Sequence, residues 1–150
     1  MPRWRVALVA LCLLTGACVS GASSVRRAAS RGDVPTALRL YDAYVDERGD
    51  GDPDLLADVA MAVLRDAATS DDARVRQTGF AALRSLGVHG REVLEALATR
   101  EGIVGDRATA ILYEQDGRRE RAPVRLRAAL RSQDTERRVV GIVSVRGRRA

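Results

Sequence analysis

Beyond residue 24, apolar side chains return at three- and four-residue intervals, and glycine, aspartate or proline breaks the pattern at every short connection. The period-two alternation that a half-buried strand requires is missing. The chain is therefore expected to be all-α, built from helices joined by tight turns. A short helix should lead to a turn at Gly32-Asp33, with Asp33 capping a second helix, Pro35 in its first turn, and Ala37, Leu40, Tyr41 and Tyr44 on one side. Asp52 should cap a helix begun by Pro53, with Leu55, Leu56, Val59, Val63, Leu64 and Ala67 as its inward stripe. Ser70 or Asp71 should cap the next, which faces Val75, Gly79, Ala82 and Leu86 inward and ends at Gly87. Shorter helices are expected at Arg91–Arg100 (Val93, Leu94, Leu97 inward), Val104–Tyr113 (Ala108, Ile111, Leu112), Pro123–Arg131 (Leu126, Leu130) and Asp134–Arg146 (Val139, Ile142, Val143). The last of these carries the apolar stretch Val139 to Val145, which either packs inside or lacks a covering helix and invites self-association.

A shift of 31 residues aligns Arg76, Arg107 and Arg138, and with them Gly79, Ala110 and Gly141; Phe80, Ile111 and Ile142; and Ala67, Ala98 and Ala129. Small and apolar columns in phase with helices, at a period near 30, have the size of a two-helix solenoid unit. Within this frame SDDARVRQTGFAALRSLG (residues 70–87) resembles a HEAT repeat of the short HEAT-like kind, at Asp72, Val75, Arg76, Ala82, Leu83 and Gly87. SQDTERRVVGIVSVRG (132–147), with Asp134 and Arg138, and GIVGDRATAILYE (102–114) are weaker copies. The resemblance implies a short right-handed solenoid of helical hairpins over residues 53–147, in which Arg76 and Arg138 brace neighbouring repeats by bonding the turn acid. Residues 25–52 look more like a tetratricopeptide-type hairpin acting as a cap.

Ahead of the helices stand Arg3 and Arg5, then nine apolar residues from Val6 to Leu14. Nine is too few for the ~20 that cross a bilayer as a helix, but it suits the apolar core of an export signal. Thr15-Gly16-Ala17-Cys18 follows, and resembles the lipobox of bacterial lipoproteins, with Thr15 where that family usually has Leu, Val or Ile. The resemblance implies a signal peptide over residues 1–17, cleavage between Ala17 and Cys18, a diacylglycerol and an acyl chain on Cys18, and a tether over residues 18–24. Val19 favours the outer membrane, facing the periplasm. Ordinary cleavage after Ala17, releasing a free product, and an uncleaved anchor are the alternatives. Cys12 is the only other cysteine, so a body beginning at Cys18 would hold no disulfide and no thiolate metal site.

Charge is unevenly placed. All 25 basic residues are arginine, as a GC-rich genome would favour. Residues 18–117 carry 12 arginines against 17 acids, whereas residues 118–150 carry 11 against 3. Arg118, Arg119, Arg121, Arg125, Arg127, Arg131, Arg137 and Arg138 therefore form a candidate basic surface for an anionic partner within a Debye length, ~8 Å at physiological salt. Catalytic chemistry is scarce. His89 is the single histidine, in a turn. Asp50, Asp52 and Asp54 stand at positions 1, 3 and 5 of a possible calcium loop, but Leu55 and Met61 occupy the positions that need Gly and Glu, so an acidic loop with Asp52 as helix cap is preferred. Three tyrosines and one phenylalanine give little stacking surface for nucleic acid. The expectation is a lipid-anchored envelope scaffold that binds a protein, not an enzyme, without metal or cofactor and without an evident small-molecule substrate. The alternative is an anion-binding module that contacts acidic envelope polymers or lipid headgroups through the arginine-rich end.

Overall fold

The computed structural model describes residues 21–117 and 122–146, except the side chain of residue 146. Every regular element among them is helical. The chain divides into two compact units, residues 1–66 and 67–150. The lipobox residues Ala17 and Cys18 lie outside the described residues, as do Arg118, Arg119 and Arg121.

In the first unit, α1 (residues 21–31) is followed by α2 (Val34–Arg48) and by most of α3 (Pro53–Thr69), whose last three residues belong to the second unit. Turn chemistry places these boundaries. Gly32 adopts φ 76°, and Asp33 then caps α2 by accepting from the Thr36 N–H at 3.2 Å. Asp52 accepts from the N–H groups of Asp54 and Leu55, at 3.0 and 3.1 Å, immediately before Pro53 opens α3. Val25, Ala28, Ala29, Ala37, Tyr44, Leu55, Val59 and Ala62 close into one core. The α3 stripe differs from expectation: Leu56 and Val63 are 50% and 36% exposed, while Ala62 and Ala68 are buried. The inward face is the narrower 55-59-62 line, because small α1 residues let α3 approach along it. Tyr44 is held by the Arg48 guanidinium, which donates to its hydroxyl at 2.9 Å and sits 4.9 Å from its ring centroid.

The second unit contains α4 (Ala73–Ser85), a 3₁₀ turn (Gly87–Gly90), α5 (Arg91–Ala98), α6 (Gly102–Gln115), α7 (Val124–Ala129) and α8 (Thr135–Arg146). Helix α6 is the hub, packed against α4, α5, α7 and α8. Phe80, Leu83, Leu94, Leu97, Ala108 and Ile111 are buried, and Tyr113, Ala122, Leu126 and Val140 form a cluster with Ile103, Ala110 and Val145.

Two helices are rotated from their expected faces. In α4 the buried positions are Arg76, Gly79, Phe80 and Leu83, whereas Val75 is 45% exposed. Leu86, expected inward, is 39% exposed. In α8, Val140 and Ser144 are buried while Val139, Ile142 and Val143 are 50%, 38% and 62% exposed. Each of the two helices has one close backbone contact. A Cβ on Gly79 would lie 2.5 Å from the Ala68 nitrogen, and one on Gly141 would lie 2.9 Å from the Leu130 nitrogen. The glycines let a preceding backbone approach their helices closely, with no side chain in the way.

One local structure occurs twice. Asp72, not Ser70 or Asp71, caps α4, accepting from Arg74 and Val75 N–H groups, while Ser70 Oγ accepts from the Asp72 N–H at 3.2 Å. Asp134 accepts from Glu136 and Arg137 N–H groups in the same way, with Ser132 Oγ accepting from Asp134 at 3.1 Å. The side chain six residues beyond the serine closes each turn. Arg76 Nη1 donates to the carbonyls of Ser70 and Asp71, at 2.7 and 3.1 Å, and Arg138 Nη1 to those of Ser132 and Gln133, at 3.1 and 3.2 Å. Ser-x-Asp-x-x-x-Arg is thus a self-capping turn: the acid satisfies helix N–H groups and the arginine satisfies carbonyls that the turn would otherwise leave unpaired. Each acid is used by its own helix N-terminus, so the two arginines reach backbone carbonyls in place of the turn acid.

Candidate functional site

Helices α4, α6 and α8 leave a groove of about 270 Å³ between them. Phe80, Ile111 and Val140, all buried, are among its lining residues, and Ala110, Val139 and Val143 add further apolar surface. Val139 and Val143 face it because α8 is turned away from its expected phase, which leaves two β-branched side chains half exposed or more. Exposed apolar surface next to a groove marks a place where another molecule can exclude water.

The charged lining comes from α4 and α6. Arg84 donates to Glu114 at 2.6 Å, a pair 59% and 38% exposed, so it ties α4 to α6 but contributes little to stability. Arg107 also lines the groove. Among the described residues it pairs with Glu136 at 3.8 Å, and its buried Nη1 has no hydrogen-bond partner there. Glu136 is already committed, because it accepts from Arg76 Nη2 at 2.8 Å.

Beside the groove is a feature that sequence reading missed. Asp106 of α6 is fully buried, with Oδ1 accepting from Arg125 Nε of α7 and Oδ2 from Arg137 Nε of α8, each at 2.7 Å. Arg125 donates further to the carbonyls of Ala98 (2.7 Å) and Arg100. One carboxylate therefore joins three helices and the α5–α6 turn. In the sequence Asp106 is one of two acids in its helix, and its partners lie 19 and 31 residues away, so no local pattern marks it.

Several expected site residues have internal partners. Arg125 and Arg137 hold Asp106, and Arg138 closes the α7–α8 turn. Arg127 is half-buried and Arg131 exposed, and neither makes a side-chain hydrogen bond among the described residues. His89 is exposed in the 3₁₀ turn. Asp52 serves as the α3 cap, and among the described residues no group of three histidine, cysteine or acidic side chains is arranged to hold a metal ion. Away from the groove, hydrogen bonds to Asp116 and then Glu95 raise the pKa of exposed Arg91 above the usual arginine value. No described helix is long and apolar enough to cross a membrane. Comparison with known protein families, curated proteins and solved structures finds no match to the chain.

Proposed function

We propose that the chain is a bacterial envelope lipoprotein whose HEAT-like helical repeats form a protein-binding module, with the α4–α6–α8 groove as its docking surface. The groove carries this reading: three helices present an apolar lining in which Val139 and Val143 remain exposed, beside an ion pair that fixes the α4–α6 wall. The repeat interpretation is supported by the two Ser-x-Asp-x-x-x-Arg turns, 62 residues or two periods apart, and by the matching close approaches at Gly79 and Gly141. The groove is preferred over an anion-binding surface because Arg125, Arg137 and Arg138, three of the arginines on which that surface would rely, have internal partners.

Anchoring places the module at a membrane face. Two or more acyl chains hold a protein stably on a bilayer, and the proposed modification of Cys18 supplies them. Intact mass and membrane partitioning of the product from a Gram-negative host test this half of the proposal. The expected mature chain begins at Cys18, carries acyl mass and sediments with the outer membrane, whereas Cys18→Ala stays unprocessed or leaves the membrane fraction. A soluble wild-type product of unmodified mass rules out the anchor and returns the module to the free periplasm or the exterior.

A further inference from the structure

The 31-residue arginine column contains an exception. Arg76 and Arg138 close their own turns through carbonyl bonds. The equivalent turn before α6 has Glu101 where the others have serine and Ile103 where they have aspartate, so it has no side-chain cap. Arg125 reaches in from α7 and takes the carbonyls of Ala98 and Arg100 instead. Arg107, the column's middle member, is thereby released from turn closure.

Its surroundings leave it with charge to spare. Of the groove's charged side chains, Arg84 and Glu114 satisfy each other, whereas Arg107 donates no hydrogen bond among the described residues. Glu136 lies between two guanidinium groups, hydrogen-bonded to Arg76 at 2.8 Å and in a longer ion pair with Arg107 at 3.8 Å. Among the described residues, a single carboxylate shared by two arginines leaves positive charge in excess at the edge of an apolar groove. A guanidinium offers a planar fork of donors suited to a carboxylate, and a pairing beside apolar walls is stronger than the same pairing in water.

We infer that Arg107 is the carboxylate receptor of the groove, and that its occupant is an apolar segment of a partner protein bearing an acidic side chain. This rests on the reading of the groove as a docking surface. Val139 and Val143 stay half exposed or more at the groove, whereas small-molecule sites bury 70–90% of their ligand, so a segment anchored at both ends by its own protein suits it better than a free amphiphile.

Two synthetic probes test the inference on the full chain: a 14-residue leucine–alanine amphipathic helix with one central glutamate, and its glutamine twin. Anisotropy gives their affinities, and amide NMR reports which helices respond. The glutamate helix is expected to bind wild type at least ten-fold more tightly than its twin, with shifts on α4, α6 and α8. In Arg107→Gln the two probes bind alike, Arg107→Lys restores part of the preference, and Val143→Asp weakens both; amide spectra confirm that each variant is folded. Equal wild-type affinities, still lost in Val143→Asp, overturn the role of Arg107 and leave the groove standing. Absence of any shift on α4, α6 and α8 with either probe at millimolar concentration overturns both. Shifts from sodium octanoate at lower concentration than from the glutamate helix overturn the protein segment in favour of a small amphiphile.

Discussion

Asp106→Asn is expected to destabilise the 67–150 unit by about 3–5 kcal/mol, the cost typical of breaking a buried ion pair from one side. The carboxylate is completely buried and receives one guanidinium N–H on each oxygen. An asparagine keeps the shape but turns one acceptor into a donor, so one arginine faces an N–H₂ group and both lose their counter-charge. Since whole domains are stable by only about 5–15 kcal/mol, this is a large fraction. Urea unfolding of the full chain, followed by hydrogen exchange of peptides from α6, α7 and α8, provides the measurement. Arg137→Met should cost less, because Asp106 keeps Arg125 and Arg137 is a third exposed. A loss below about 1 kcal/mol for Asp106→Asn would mean that the three helices do not depend on this carboxylate.

Gly105→Ala is the second large effect, at about 3 kcal/mol, the upper part of the range for overpacking a filled site. A methyl group there would run into the Arg100 carbonyl oxygen and the Arg125 guanidinium, which meet each other across the glycine. Neither can withdraw freely, since the carbonyl belongs to the α5–α6 turn and the guanidinium is also bonded to Asp106 and Ala98. The two substitutions act on the same arginine, so Gly105→Ala with Asp106→Asn should cost clearly less than the sum of the two. Additivity within about 0.5 kcal/mol would show that the glycine and the carboxylate act separately. Denaturant midpoints of the two single variants and the double variant decide between these outcomes.

Helix boundaries were legible in the sequence because caps and breakers act locally. Asp33, Asp52, Pro53 and Gly87 each do in the structure what their neighbours in the chain imply. Helix faces were less legible, for a physical reason. A hydrophobicity pattern sends arginine to the surface, yet Arg76 is 8% exposed because two turn carbonyls bond its Nη1 and Glu136 bonds its Nη2. Treating it as a surface residue shifts the α4 stripe by one position and draws Val75 inward. Helix α8 went the same way, since Gly141 and Ser144 hold the buried side where Val139 and Val143 are the more hydrophobic choices. The groove exists because of that rotation, so a pattern that assigns the valines to the core erases it. The Ser-x-Asp-x-x-x-Arg recurrence at 70–76 and 132–138 was visible in the sequence and points to the arginines that close the turns. The Asp106 network was not, because it depends on which helices meet.

Docking of a protein partner in the α4–α6–α8 groove is tested most directly by a photoreactive amino acid at Val143, 62% exposed, in the full chain expressed in its own host. The matched control places it at Val88, 80% exposed in the 3₁₀ turn outside the groove. The account predicts a discrete adduct of defined mass from Val143, lost when Val139→Asp is added, and none from Val88. Equal labelling at both positions, or a Val143 adduct indifferent to Val139→Asp, would contradict it.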